Sequence, residues 1–123
     1  MFEPGTETRY SDIDYMLIGL IVEKKTGKDL DDFLRETFWQ PMGLEHITYC
    51  PLENGFGAED CAATELNGNT RDGLITYPGV RKDTLQGEVH DEECFYTMGG
   101  VSGHAGLFAS ATDLAKLASV MLT

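Results

Sequence analysis

The apolar segment at residues 15–22, with the sequence YMLIGLIV, sets the strongest limit on the architecture of this chain. Apolar side chains at nearly every position would point in all directions around a helix, so the pattern predicts a helix that is buried on all sides. The helix is expected over residues 13–26. Gly27 would then end it as a C-cap in the left-handed conformation.

Tyr10 stands just before this helix and is a candidate for a chemical role. Ser11 or Asp12 can accept hydrogen bonds from the free N–H groups of the first helical turn. The positive end of the helix dipole favours negative charge at the same place, which predicts a Tyr10 phenol with a pKa lowered toward neutral pH. The alternative, which this stretch alone favours, is a capped core helix preceded by a packing tyrosine.

Length and charge narrow the classes of function. With 123 residues, 41% of them hydrophobic, the chain can build one core, and one folded unit is expected. The net charge of −12 would repel phosphate backbones and anionic lipids, so no nucleic-acid partner is predicted. No apolar run approaches the ~20 residues of a membrane span, and residues 1–5 lack the pattern of a signal peptide. We therefore expect no span and no targeting signal in this sequence.

The remaining elements are predicted from periodicity and turn residues. A second helix is expected over residues 30–39, with Pro41 and Gly43 ending it and one apolar face made of Leu30, Phe33, Leu34 and Phe38. Residues 44–89 are broken by glycine and should wrap over a core built elsewhere, with a short strand and tight turn at residues 64–70. A last helix should follow the capping-box variant at residues 110–113, with an apolar face at Leu114, Leu117, Ala118 and Met121.

Two polar clusters are further candidates for a site. Residues 87–94 place His90 and Asp91 among acidic residues and a cysteine. Consecutive residues cannot all converge on one ion, so a solvated acidic loop with one structural or site-lining histidine is favoured over a metal site. No two of the three cysteines, Cys50, Cys61 and Cys94, have the C-x-x-C spacing. No metal or cofactor is predicted.

The second cluster, residues 99–106, contains Ser102 and His104 among four glycines. Its letters half-match the nucleophile elbow G-x-S-x-G, but His104 stands where that motif needs glycine. The glycines instead predict a backbone that passes close to a cavity or to another segment.

Four segments together carry a resemblance to a known family: residues 10–17 (YSDIDYML), 62–73 (AATELNGNTRDG), 87–92 (GEVHDE) and 99–108 (GGVSGHAGLF). In collinear order they resemble the class C β-lactamase-like serine hydrolases of the penicillin-binding protein superfamily, and within them the penicillin-binding protein 4B group. The resemblance implies a mainly α (α+β) fold, namely the helical lobe of the serine β-lactamase/D,D-peptidase fold with a few short strands and long loops. Residues 1–123 would form a single partial domain.

The resemblance also implies roles for particular residues. In this family the serine of an S-x-x-K motif is acylated, the tyrosine of a Y-x-N motif transfers the proton, and a K-T-G or H-T-G strand binds the substrate carboxylate. Tyr10-Ser11-Asp12 resembles Y-x-N, with Asp12 in place of the asparagine. An ionised Asp12 cannot donate the hydrogen bond that the asparagine side-chain amide donates. His90, Asp91, Ser102 and His104 are candidate cleft residues, and His90, Asp91 and His104 should lie near Tyr10.

The other family motifs are missing from this sequence. None of its serines has a lysine three positions later, so S-x-x-K is absent. Lys25-Thr26-Gly27 spells K-T-G, but it follows the first helix and is interpreted as a C-cap. Residues 103–106 resemble the loop before the last helix and not the H-T-G strand. The chain is expected to be a middle piece of a longer enzyme.

These observations lead to two hypotheses of different kinds. The parent protein would hydrolyse a D-Ala-D-Ala-like peptide, a β-lactam or a small ester through an acyl-enzyme, outside the cytoplasm, while this chain alone would be inactive. The alternative is a non-catalytic binding or interaction module. Lobe surfaces normally covered by the missing sheet could also pair in a homo-oligomer.

Overall fold

The computed structural model describes residues 2–122. Its helices are α1 (Asp12–Thr26), α2 (Leu30–Leu34), α3 (Glu92–Met98) and α4 (Ala111–Ser119). Helix α2 continues as a π-helical turn over Arg35–Trp39, and 3-10 turns cover Pro51–Glu53, Ala58–Asp60 and Val120–Leu122. The strands are β1 (Ile47–Tyr49), β2 (Ala63–Glu65), β3 (Leu85–Gln86) and β4 (Leu107–Ala109). The predicted fold class, mainly α with a few short strands, is confirmed.

The strands form two separate antiparallel pairs. β1 pairs with β4, with Ile47 opposite Ala109 and Tyr49 opposite Leu107. β2 pairs with β3, with Ala63 opposite Gln86. The first pair joins the segment after α2 to the segment before α4.

Helix α1 has the predicted extent but not the predicted burial. Gly27 caps it in the left-handed conformation and donates its N–H to the Glu23 carbonyl, which confirms that Lys25-Thr26-Gly27 is a C-cap. Ser11 occupies the N-cap position without a side-chain cap. The expected burial on all sides is wrong, because Gly19 is the only buried residue of the helix. The other described segments contact α1 along a single side, and its large apolar side chains stay exposed: Ile13, Tyr15, Leu17, Ile18, Leu20 and Ile21.

The main apolar cluster is built from residues between the π-helical turn and β1. Trp39, Leu44 and Ile47 are buried together, and Leu34, Met42 and Leu117 pack against them. Trp39 takes the place predicted for Phe38, since Phe38 is 39% exposed and Trp39 is 6% exposed. The π-helical turn explains the change: the wider ring, closed by Gln40 N–H to the Arg35 carbonyl, holds one extra residue and shifts the apolar face.

Strand β2 forms as predicted, but no local hairpin follows it. Its partner is β3, about twenty residues later in the sequence. The turn at Gly68 instead brings Asn69 against Arg81, where the Asn69 N–H donates to the Arg81 carbonyl at 2.9 Å. Gly68 has φ +58°, and a Cβ at this position would overlap the Arg81 carbonyl group. The Asn-Gly turn therefore serves a close approach between two loops.

Helix α4 starts as predicted. The Ser110 hydroxyl accepts a hydrogen bond from the Asp113 N–H at 3.1 Å. The Asp113 carboxylate accepts the His46 N–H at 2.7 Å, and this hydrogen bond contributes most to lowering the pKa of Asp113. Of its predicted apolar face, Leu117 packs on the core while Leu114 and Met121 are exposed. Among residues 2–122, no helix is both long and apolar enough to cross a membrane.

Candidate functional site

A chain of hydrogen bonds joins the two predicted polar clusters. Ser102 Oγ lies 2.7 Å from His104 Nδ1, and His104 Nε2 lies 3.0 Å from Asp91 Oδ1. These contacts fit a neutral imidazole protonated on Nε2: the Ser102 hydroxyl donates to Nδ1, and Nε2–H donates to the carboxylate. Three of the four predicted cleft residues are thus in one network.

Asp91 occupies the end of this network at the start of α3. Its Oδ1 also accepts the Cys94 N–H at 2.7 Å, which makes Asp91 the N-cap of the helix. Burial acts to raise the pKa of Asp91, but the hydrogen bonds from Cys94 and His104 and the nearby histidines outweigh it and leave the pKa below its usual value. Asp91 is therefore an anion at neutral pH.

Ser102 lies at the other end and is buried. Ser102 is only 2% exposed, and its carbonyl accepts a hydrogen bond from the Tyr49 hydroxyl at 3.0 Å. Burial raises the pKa of Tyr49 to about 12, so that phenol is a fixed donor. A catalytic triad presents Nε2 to an accessible serine and Nδ1–H to the aspartate, which is the reverse of the order found here. The arrangement links structural elements and presents no reachable nucleophile.

The loop between Ser102 and His104 lies directly on α1. A Cβ on Gly103 would overlap the Tyr15 carbonyl oxygen, and a Cβ on Gly19 would stand 3.1 Å from the Gly103 nitrogen. The close backbone approach predicted from the glycines of this loop is confirmed. It fixes the network against the helix that begins beside Tyr10.

Tyr10 precedes α1 and is 89% exposed. Hydrogen bonding to Asp12 and the negative charge of that carboxylate raise the pKa of Tyr10, with a smaller contribution from Asp91. The expected lowering of the Tyr10 pKa is therefore wrong for this chain. The carboxylate next to the phenol opposes the formation of a second negative charge, and Tyr10 is protonated at neutral pH.

A depression of about 430 Å³ lies beside the start of α1. Asp12, His90 and Asp91 line it together, and His90 Nε2 stands 3.9 Å from the Glu65 carboxylate. The structure thus places Asp12 with His90 and Asp91, while Ser102 and His104 lie behind Asp91 and do not line the depression. The charge of Asp91 also acts on Tyr10.

Two residues near this site were not predicted from the sequence. Asn69 is buried; its amide donates to the His90 carbonyl at 2.9 Å and accepts from Arg81 Nε at 2.9 Å. The Arg81 guanidinium lies 3.6 Å from the centre of the Phe95 ring. Together they hold the backbone of His90. Asn69 belongs to the turn at Gly68, where its pattern indicated only a change of chain direction.

The structure contains no ready metal centre in the part of the chain that it describes. Between residues 2 and 122, no group of three or more His, Cys, Asp or Glu side chains is placed to hold an ion. His90 instead faces Glu65 across the depression.

Comparison with known proteins identifies the family. The Beta-lactamase family model matches residues 1–123. The chain belongs to the beta-lactamase family. A beta-lactamase-family relative from Escherichia coli K12, named putative D-alanyl-D-alanine carboxypeptidase, is 54% identical over 121 residues, which cover 98% of this chain and 28% of the relative. A Bacillus subtilis 168 relative, named N-acetylmuramyl-L-alanine amidase, is 56% identical and covers 98% and 27%.

Solved structures show the same fold. The octameric penicillin-binding protein homologue from Pyrococcus abyssi matches with a TM-score of 0.62 and 22% identity, covering 98% of this chain and 22% of that one. D-amino acid amidase from Ochrobactrum anthropi SV3, complexed with L-phenylalanine amide, matches with a TM-score of 0.64 and 21% identity, covering 98% and 31%. The resemblance to the β-lactamase and penicillin-binding protein superfamily is confirmed. This beta-lactamase-family chain spans less than a third of the length of the curated relatives that it matches.

Proposed function

We propose that this chain is the tyrosine-bearing part of the helical lobe of a larger serine hydrolase, which forms an acyl-enzyme with a D-Ala-D-Ala-like peptide, a β-lactam or a small ester. The observation that carries the proposal is the placement of Tyr10 and Asp12 at the start of α1, beside a depression lined by His90 and Asp91. The names of the Escherichia coli and Bacillus subtilis relatives both describe hydrolysis of an amide bond.

In the proposed mechanism, Tyr10 transfers a proton. The serine oxygen, supplied by another segment, attacks the carbonyl carbon while the phenolate oxygen of Tyr10 takes the serine proton. The leaving amine, or the leaving alcohol of an ester substrate, then receives that proton from Tyr10, and water later hydrolyses the acyl-enzyme ester. Because Asp12 raises the pKa of Tyr10, positive charge from segments outside this chain has to favour the phenolate.

A D-Ala-D-Ala-like peptide belongs to the cell envelope, and the proposed place of action is therefore outside the cytoplasm. Asp12 and Asp91 make the lining of the depression anionic near Tyr10. His90 and Arg71 line the same depression, and their side chains can donate hydrogen bonds to a ligand there. We assign His90 and Asp91 to the edge of the substrate cleft, and Ser102 and His104 to its support.

Labelling with a fluorescent penicillin tests this proposal. A chimera in which this chain replaces the 121 matching residues of the Escherichia coli relative supplies the missing segments. We expect stoichiometric acylation of the chimera, detected by gel fluorescence and intact mass, and no adduct on the 123-residue chain alone, which carries no activated nucleophile.

The two arms of this experiment separate the claims. An adduct on the isolated chain would contradict its assignment as an incomplete site, and peptide mapping would show whether Ser102 carries it. If a folded chimera forms no adduct while the unaltered Escherichia coli protein does, the proposed function of this chain is wrong. The same exchange in the Bacillus subtilis relative is available if the first chimera does not fold.

A second candidate function is self-association through α1. Ile13, Leu17, Leu20 and Ile21 recur at helical spacing and are all exposed, which gives the helix an uncovered apolar face. We propose that this face pairs with a second copy when the chain is alone. The same face would be free for an interaction partner if the chain were a binding module.

We expect the isolated chain to sediment as a dimer or larger species, and the double variant Leu17→Lys/Ile21→Lys to sediment as a 13.6 kDa monomer. Charged side chains on both copies would have to be desolvated in the interface, which opposes association. Sedimentation velocity measures the change. Leu74→Lys is the control, since Leu74 is an exposed leucine that does not belong to α1. A monomeric unaltered chain would contradict the proposal.

A further inference from the structure

The His104 side chain lies between Ser102 and Asp91 and is almost fully enclosed. Its side chain is 3% exposed, although the residue belongs to a loop. Both ring nitrogens are engaged, Nδ1 with Ser102 and Nε2 with Asp91. A buried polar ring with both nitrogens satisfied holds its neighbours in one arrangement, because any shift leaves a buried polar group unpaired.

One side of this arrangement is α1. Gly103, between the two bonded residues, lies so close to the helix that a side chain there would overlap the Tyr15 carbonyl. A Cβ on Gly19 would stand 3.1 Å from the Gly103 nitrogen and 3.3 Å from Leu30 Cδ2. Since Gly19 is the only buried residue of α1, the loop at Gly103 is a principal contact that sets the position of the helix.

The other side is the start of α3. Asp91 caps that helix through the Cys94 N–H, and it lines the same depression as Asp12. The imidazole of His104 therefore connects the loop under α1 to the residue that faces the start of α1 across the depression.

We propose that His104 is a positioning residue, which holds Tyr10 and Asp12 in register with Asp91 by bonding the loop under α1 to the cap of α3. The role in positioning the proton-transfer tyrosine rests on the proposed function; the mechanical link does not. His104 touches no substrate in this assignment. A histidine that only stabilises the fold would support all elements equally. Its loss would then affect α4 as much as α1.

A pair of variants separates the two bonds of the ring. The amide of a glutamine side chain reaches the place of Nε2, and the amide of asparagine reaches that of Nδ1. His104→Gln keeps a donor for Asp91, whereas His104→Asn keeps only the contact with Ser102. The proposal requires the Asp91 bond, so glutamine should rescue the function of His104 and asparagine should not.

Amide hydrogen exchange of the isolated chain tests the mechanical link without any activity. We expect His104→Asn to speed exchange in peptides from α1 by ~10-fold, with little change in α4, and His104→Gln to match the unaltered chain. Ser110→Ala is the matched control: it removes the cap of α4 and should speed exchange there without affecting α1. Equal acceleration in α1 and α4, or equal behaviour of the two His104 variants, would overturn the proposal.

The chimera with the Escherichia coli relative tests the consequence for chemistry. His104→Asn should lower the maximal acylation rate by ~10-fold or more, with a small change in the half-saturating concentration, because misplaced groups lose rate more than binding. An inactive chimera together with the expected exchange pattern would contradict the proposed function alone. If His104→Asn does not fold, Gly103→Ala tests the same contact by displacing the loop from the Tyr15 carbonyl. Unchanged exchange in α1 of Gly103→Ala would overturn the proposal.

Discussion

Replacing Tyr10 by Phe in the chimera should lower the acylation rate by ~10²-fold or more, the usual scale of lost acid–base catalysis. The substitution removes one oxygen from a side chain that is 89% exposed in the isolated chain, so the fold should not change. Rapid-quench measurement of acyl-enzyme formation gives the rate. A Tyr10→Phe chimera that acylates at the unaltered rate would remove Tyr10 from the proposed mechanism.

The size of this effect depends on how Tyr10 becomes a base. A free phenol titrates near ~10, so about one in a thousand is ionised at neutral pH, and here the Asp12 carboxylate raises the pKa of Tyr10 further. Asp12→Asn removes that negative charge. The basic phenolate would then form at lower pH, and the rising limb of the acylation pH profile should move toward lower pH.

Tyr77→Phe is the matched control for Tyr10→Phe. The Tyr77 ring packs edge-on against Tyr96 at a centroid distance of 6.2 Å, and it does not line the depression beside α1. Its loss should leave the acylation rate unchanged. A loss comparable to that of Tyr10→Phe would indicate that the effect comes from the fold and not from proton transfer.

The features that sequence analysis predicted correctly follow from local rules. Gly27 ends α1 because a glycine adopts the left-handed conformation at low cost. Ser110 starts α4 because its hydroxyl satisfies a free N–H of the first turn. Both effects involve residues within four positions of one another, which is why they can be predicted without knowledge of the tertiary structure.

The features that were missed depend on distant segments. The apolar pattern of residues 15–22 predicted burial on all sides, which is wrong because the pattern cannot tell whether these 123 residues supply the cover. Strand β2 pairs with β3 and not across the Asn-Gly turn, because Gly68 is needed for the contact with Arg81. The depression beside α1 likewise combines three parts of the sequence: Asp12, residues 65–71 and residues 90–93.

The candidate site includes both features that were predicted from the sequence and features that were missed. His90, Asp91, Ser102 and His104 were selected by residue type and by resemblance, and the structure joins three of them in one network. The sequence indicated no bond between Asp91 and His104, which are thirteen residues apart, because the turn of the loop at Gly103 depends on packing against α1. The roles of His90 and Asp91 at the edge of the cleft, and of Ser102 and His104 in its support, stay predictions.

Trp39→Ala should destabilise the isolated chain by ~3–5 kcal/mol, the usual cost of emptying a buried aromatic site. Trp39 is 6% exposed and packs with Leu44 and Ile47 in the main apolar cluster. Small domains have a total stability of ~5–15 kcal/mol, so this loss would remove a large part of the total. Urea unfolding followed by far-ultraviolet circular dichroism measures the change, since Trp39 is the only tryptophan and its fluorescence is lost.

Trp39→Phe is the matched control, and the comparison tests what the indole contributes. Phenylalanine keeps most of the apolar volume and removes the Nε1 hydrogen, which has no acceptor within residues 2–122. Trp39→Phe should therefore cost clearly less than Trp39→Ala, because the unpaired N–H is itself unfavourable in the core. Equal losses in both variants would contradict this expectation and would mean that a phenyl ring does not fill the space of the indole. The cluster includes Ile47 of β1, the strand whose Tyr49 hydroxyl binds the Ser102 carbonyl.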